Sequence, residues 1–332
     1  MSLAPAASVA IIANPVSGKD IRRLLASASS STLQEKYTIV RRAVIGAAEV
    51  GVTQFWFLAE PHRIALKSVE TLQLDVRYDQ VAIDERFDET DTTRTVAQLR
   101  ELGCGAVVVL GGDGTNRAAA LGWRDFPVVP ISTGTNNAFP RFVEATVAGA
   151  AAGLVATGKV ALSEVSRPAK VVEVTVEGEH DDLALIDAVF VDERVVGSRG
   201  LFDPADLRVA LLTRAEPASV GISAIGGLLS PCSADDEAGV LVRFAGAGAG
   251  RRLRAPIAPG LYVEVGIGSC VRVGPGEPVE VVGPGILAFD GERHRALQPG
   301  QRATLRIDRS GPRVIDTGLA LRLAADRQSY VS

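Results

Sequence analysis

Through the first 140 residues the apolar positions fall in short, unbroken runs, each followed by small polar residues. Residues 9–13 (Val-Ala-Ile-Ile-Ala), 106–110 (Ala-Val-Val-Val-Leu) and 127–131 (Pro-Val-Val-Pro-Ile) are the clearest. Unbroken runs rich in Val and Ile predict strands buried on both faces. Residues 53–58 and 74–83 read as two further strands. Helical segments are predicted over 21–28, 41–50 and 90–102, the last with Asp91 as a candidate N-cap and Gly103 as its stop. Strands alternating with helices predict a parallel, Rossmann-like sheet with right-handed crossovers. Such a sheet gathers the loops that follow its strands along one carboxyl edge, where ligands bind.

An Ala/Gly-rich helix over 146–157 marks a change. Beyond it the apolar residues alternate in period two, over 170–176, 184–191, 239–244, 261–267 and 278–282, with Pro-Gly turns at 275–276 and 284–285. This predicts an antiparallel domain, read as a β-sandwich. A strand over 286–289 leads into Asp290-Gly291-Glu292. A strand over 303–308 and a helix over 317–325 follow. Residues 245–250, alternating Ala and Gly, read as a flexible loop. The expected division is an α/β domain over 1–145 and an antiparallel β domain over 146–311.

Composition narrows the function. The chain has 332 residues, enough for two domains, with Lys+Arg 35 against Asp+Glu 39 and a net charge of −4. That balance offers no footprint for nucleic acid. No apolar run has the length of a membrane span. Residues 1–13 are apolar, carry no basic residue and lead straight into a strand, so no signal peptide is expected and a cytoplasmic location is. Cys104, Cys232 and Cys270 are odd in number and lack ligand spacing; His62, His180 and His294 are scattered. Neither a disulfide nor a protein-held metal is expected.

The chemistry is expected in the loops. Gly111-Gly112-Asp113-Gly114-Thr115 separates a buried strand from a helix start. Glycines allow close backbone approach, and free N–H groups at a helix start suit a phosphate. The plain alternative is a turn whose Asp caps the helix. Gly18-Lys19 does not make a Walker loop, since Asp20 stands where Ser or Thr belongs and Ala13 where the first Gly belongs. With residues 14–20 and 132–137, three loops on one edge share the same small polar design.

Asn14-Pro15-x-Ser17-Gly18, Gly111-Gly112-Asp113-Gly114-Thr115, Thr133-Gly134-Thr135-Asn136-Asn137 and Asp290-Gly291-Glu292, in this order, resemble the NAD kinase/diacylglycerol kinase superfamily. Within it the chain looks most like the ATP-NAD kinase-like proteins associated with acetoin catabolism, the AcoX proteins. The resemblance implies an active site between the two domains and a tail, 312–332, that returns to the first. It implies ATP or another nucleoside triphosphate as donor, with Mg²⁺ riding on the nucleotide. Asp113 matches the acid that activates the acceptor hydroxyl, and Glu292 an acid near the reacting centre. Asn14, Ser17, Gly18, Gly111, Gly112, Gly114, Thr115, Thr133, Gly134, Thr135 and Asn136 match nucleotide-binding positions. Asn137, Asp187 and Ser223 are expected on the substrate side.

NAD or a related nucleotide is the implied acceptor. However, Ile186 stands where NAD kinases have Asn ahead of the acid, and the 219–231 segment lacks their Tyr. NAD is therefore expected to be a poor acceptor that Ile186→Asn improves. A nucleotide sensor with little turnover and a lipid or sphingoid alcohol kinase are the alternatives, and a homo-oligomer is left open.

Overall fold

The unbroken apolar runs form the centre of a parallel sheet in the computed structural model. It describes residues 7–14, 32–134, 137–192, 203–246 and 249–330, of 292–294 the backbone alone. The first part of the chain runs β1 (Ser8–Ala13), α1 (Leu33–Glu49), β2 (Gln54–Phe57), α2 (Ile64–Val69), β3 (Arg77–Gln80), α3 (Thr90–Glu101), β4 (Ala106–Gly111), α4 (Asp113–Gly122), β5 (Pro127–Ser132), α5 (Ala145–Ala156), α6 (Leu162–Val165) and β6 (Ser166–Pro168). Every residue of β1, β4 and β5 is buried.

The second part runs β7 (Val171–Val176), β8 (Asp182–Ala184), β9 (Asp187–Val191), β10 (Leu207–Leu212), α7 (Ile222–Leu229), β11 (Gly239–Phe244), β12 (Arg251–Ala258), β13 (Leu261–Val273), β14 (Val279–Val282), β15 (Gly285–Phe289), β16 (Glu292–Leu297) and β17 (Arg302–Asp308). The chain then returns through β18 (Arg313–Ile315) and α8 (Thr317–Asp326).

The first sheet has the order β3-β2-β1-β4-β5-β18-β6, parallel except for β6. Helices α1, α2, α5 and α8 cover one face. On the other face α3 and α4 pack together with Ala169, Val171, Leu183, Leu185 and Ile186, so one apolar core joins the first sheet to the second part of the chain. Two antiparallel sheets, β12-β13-β11-β10-β9-β15-β16 and β14-β17-β7-β8, enclose a shared core of Val172, Leu211, Leu287 and Leu305. The predicted α/β part and antiparallel part are both present.

Several elements differ from the sequence reading for identifiable reasons. Helix α1 begins at Leu33, not 41, because Thr32 and Glu35 form a reciprocal capping box ahead of a polar first turn. Asp91 does not cap α3; it sits in the first turn, and its carboxylate turns back to accept the N–H groups of Arg86 and Phe87. Strand β3 covers only Arg77–Gln80, an exposed edge. Helix α5 packs along α1 rather than on the strands that follow it. The approach is so close that a Cβ on Gly149 would lie 1.9 Å from the carbonyl oxygen of Ala43. Strand β13 continues to Val273, and β10, β12 and β16 were not anticipated.

The segment read as one strand, 184–191, is two strands on different sheets. β8 pairs with β7, whereas β9 pairs with β10 and β15. The chain changes sheet at Leu185 and Ile186, whose N–H groups go to the carboxylate of Asp290 instead of a ladder.

Candidate active site

In the order β3-β2-β1-β4-β5 the winding reverses between β1 and β4. Open α/β sheets bind ligands beyond the carboxyl ends of the strands at such a reversal. Two of the predicted loops flank it. Asn14 follows β1: its N–H donates to the Leu110 carbonyl (3.2 Å) and its Nδ2 to Thr115 Oγ1 (2.9 Å), tying the first loop to the second. The Asn14 carbonyl accepts from Nζ of Lys36 at 2.8 Å, a lysine that α1 holds fully buried beneath the loop.

Strand β4 ends at Gly111, Gly112 is the N-cap of α4, and Asp113, Gly114 and Thr115 form its first turn. The N–H groups of a first turn have no partner inside the helix and carry its positive dipole end, which suits a phosphate. Gly112 borders this turn closely: a Cβ there would stand 2.8 Å from Asn137 Oδ1. Asn137 is itself fixed, with Nδ2 donating to Ser132 Oγ at 2.9 Å, and that hydroxyl donates to the Gly134 carbonyl. Gly112→Val should therefore displace Asn137 and crowd the head of α4 while leaving the sheet intact. We expect at least tenfold weaker binding of a non-hydrolysable ATP analogue by calorimetry, with an unchanged far-ultraviolet spectrum; wild-type affinity would refute a phosphate-binding role for this turn.

Asp113 does not cap its own helix. Its carboxylate reaches the third loop and accepts the N–H groups of Ala138 (3.0 Å to Oδ2) and Phe139 (2.8 Å to Oδ1). The carbonyl of the same Ala138 accepts from Nη1 of Arg214 at 3.1 Å, and the guanidinium lies 5.6 Å from the centre of the Phe139 ring. One residue thus connects the acid on the first sheet with an arginine just beyond β10. Thr213 fixes that arginine's backbone, its N–H donating to the Ile186 carbonyl and its hydroxyl to the Leu185 carbonyl.

Asp290 closes the circuit. Asp290 and Gly291 both take positive φ, 51° and 82°, in the two-residue turn between β15 and β16, a pairing that Asp-Gly favours. From there the buried Asp290 carboxylate accepts the N–H groups of Leu185, Ile186 and Asp187. Burial, and then the like charge of Asp113, push its pKa up to about 7 against the pull of those N–H groups and of Arg117. Helix α4 is pinned to this region by Arg117, which donates to the Leu183 carbonyl, pairs with Asp182 and lies over the Phe289 ring. Asp182 also receives Arg295.

Of the expected substrate residues, Asp187 is buried at the start of β9, adjoining the Asp290 anchor. Ser223 is buried in α7. Its hydroxyl donates to the Arg214 carbonyl and accepts the Glu216 N–H, so it braces the turn that carries Arg214. Thr133 is buried just beyond β5. Ser17, Gly18, Thr135 and Asn136 lie outside the described residues, as does the side chain of Glu292. Arg214, Asp290 and Lys36 were not anticipated. Among the described residues, no three His, Cys, Asp or Glu side chains group as a metal site, and no helix is long and apolar enough to cross a membrane.

The structure corrects the expectation for Ile186. Its side chain is 1% exposed and packs in the apolar core that joins the two parts of the chain, with Leu185 and Phe139. Ile186→Asn would bury an amide there, which costs about 1–3 kcal/mol if its hydrogen bonds go unmade. Loss of stability, read as a lower denaturant midpoint, is the expected result, rather than a gain in NAD use.

Residues 9–160 match the ATP-NAD kinase N-terminal domain, and residues 170–310 match the acetoin catabolism protein X C-terminal domain. Acetoin catabolism protein X of Cupriavidus necator is 35% identical over 333 residues, covering 95% of this chain and 92% of that protein. Yeast NADH kinase, solved in complex with NADH, is similar over 99% of this chain and 89% of its own, with a TM-score of 0.51 and 14% identity; the likeness is one of fold. A diacylglycerol kinase from Bacillus anthracis is more distantly similar, with a TM-score of 0.44 and 13% identity over 93% of this chain and 96% of its own.

Proposed function

The chain belongs to the acetoin catabolism protein X family, a kinase-like family with the NAD kinase fold, and on that footing we propose that it is a phosphotransferase with an alcohol as acceptor. One observation carries the reading: Asp113 stands at the reversal of the parallel sheet, at the head of α4, held from the third loop by two N–H groups. Phosphoryl transfer asks a protein for positioning and charge neutralisation more than covalent help.

The residues fit a nucleoside triphosphate such as ATP. Asn14, Gly111, Gly112, Gly114 and Thr115 come together at the head of α4, where Gly112 lies too close to Asn137 to carry a side chain, and Thr133 and Gly134 are assigned to the same nucleotide side. ATP with Mg²⁺, when bound, supplies the phosphoryl group; Mg²⁺ keeps most of its ligands from phosphate and water. Asp113 takes the proton of the acceptor hydroxyl, and its bonds to Ala138 and Phe139 fix its direction. Asp187 and Asn137 border the acceptor side. NAD or a related nucleotide is the leading acceptor. The site lies between a first lobe, residues 8–168 with 313–326, and a second lobe, 171–308.

A second reading, a nucleotide sensor with little turnover, is favoured by the engagement of both Asp113 oxygens with backbone N–H groups. A screen with labelled ATP, Mg²⁺ and a panel of alcohols, including NAD, separates the two. Transfer of label to any acceptor, identified by mass spectrometry, supports the enzyme. ATP binding without transfer to any of them supports the sensor.

A further inference from the structure

Three arginines of this region are withdrawn from water, and two are neutralised. Arg117 pairs with Asp182, and Arg295 pairs with Asp182 and Glu179. Arg214 is different. It is 6% exposed, and the one hydrogen bond of its guanidinium among the described residues goes from Nη1 to the Ala138 carbonyl. Its Nε is buried without a partner, and no carboxylate among the described residues stands at ion-pair distance; Glu216, Asp113 and Asp235 act on it from farther away. Burying an unpaired guanidinium is costly, and a chain that keeps one in a built setting has a use for the charge. The setting is built. The Phe139 ring stacks on the guanidinium, Ser223 and Thr213 brace its backbone, and Ala138 links it to Asp113.

The planar fork of arginine matches an oxyanion, two N–H groups to two oxygens. Arg214 comes from the second lobe, not from the loops after β1 and β4 that suit the donor's phosphates. Its neighbour Thr213 is bonded to residues 185–186, beside Asp187. We propose that Arg214 seats an oxyanion of the acceptor, so that the acceptor is a hydroxyl compound carrying a phosphate or carboxylate close to the reacting hydroxyl. This rests on the phosphotransferase reading and names the substrate class of that site. It separates this chain's acceptors from neutral alcohols: the hydroxyl is placed at Asp113 by an anchor one residue away, on Ala138.

The test is calorimetry on the full chain with the donor site filled by a non-hydrolysable ATP analogue and Mg²⁺. The probes are glycerol 3-phosphate and glycerate, which set a phosphate or a carboxylate beside a hydroxyl, and glycerol as the neutral control. Wild type should bind at least one of the anions and not glycerol, and the better anion identifies the group. Arg214→Met should weaken that binding at least tenfold and leave the ATP analogue's affinity within about twofold. Arg214→Lys, which keeps the charge and loses the fork, should weaken it about fivefold and carries the test should the Met variant fail to fold. Equal anion binding by wild type and the folded variants, or no anion binding by wild type, overturns the inference. Failure of the ATP analogue to bind wild type would instead strike the phosphotransferase reading; the anion titrations run without it would still decide the role of Arg214.

Discussion

Asp113→Asn should lower turnover by about 10²–10⁴-fold, the usual contribution of a general base, with binding of the ATP analogue unchanged. Oδ1 alone already accepts from both Ala138 (3.1 Å) and Phe139 (2.8 Å), so an asparagine oxygen at that position keeps both bonds; its NH2, at the Oδ2 position, faces the same Ala138 N–H, so a melting curve of the variant accompanies the assay. The lost property is the capacity to take a proton. Single-turnover measurement with whichever acceptor the screen identifies, alongside calorimetry for the nucleotide, separates chemistry from binding. Unchanged turnover in a folded variant would assign Asp113 to loop architecture alone.

The second large effect concerns Asp290 and stability. Asp290→Ala leaves the Leu185, Ile186 and Asp187 N–H groups in a buried place without an acceptor, at about 1–3 kcal/mol for each that finds no other partner. A loss of several kcal/mol is expected, a large part of what a domain has. Asp290→Asn with its oxygen at the Oδ1 position keeps an acceptor for all three N–H groups, sets its NH2 against the Leu185 N–H, and removes the titration. In the wild type the carboxyl's pKa is raised in the folded state, so the folded chain holds a proton that the unfolded chain releases at lower pH. Its contribution is full below the unfolded value near 4 and is lost as pH rises through about 7. Denaturant midpoints of wild type should therefore decline across that window more steeply than those of Asp290→Asn. Parallel profiles would show that Asp290 is ionised throughout. Asp113→Asn, by removing a like charge, should shift the wild-type decline to lower pH.

What could be read from the sequence was local. Unbroken apolar runs gave the buried strands because a strand covered on both faces needs nothing polar. The small polar loops after β1, β4 and β5 were legible because a chain turning from a buried strand into a helix must use such residues. The parts that were missed depend on partners far away in the sequence. Nothing near Arg214 in the chain says that Ala138 and Phe139 will receive it. Asp290 is visible as the first residue of an Asp-Gly turn, but its carboxylate acts on residues about a hundred positions earlier. The alternation over 184–191 is the same whether the strand stays in one sheet or leaves it, so the break at 185–186 was hidden. Ile186 was read as facing a ligand because a resemblance aligned it there; its burial belongs to the core between the lobes. The start of α1 is legible in Thr32 and Glu35, which carry the capping signature, but the polar turn behind them hides the apolar period that marks a helix.

The place of β18 sets an order on biosynthesis. Arg313 and Val314 pair with Pro127 and Val128, and the other edge of β18 carries β6. A nascent chain that has emerged as far as β17 therefore holds a first sheet whose β5 edge is open, while the whole sandwich has already been made. The open part of that edge is the stretch from Phe126 to Val128, since Pro130 and Ser132 already bond to Arg141; its unpaired N–H and C=O groups are a template on which strands of other molecules add. Pairings so distant in sequence form slowly, because a large loop must close before they are rewarded. The ribosome thus releases the first lobe complete last, although its first strand was made early. Cellular yield of this chain should depend on protection of β5 by chaperones during that interval.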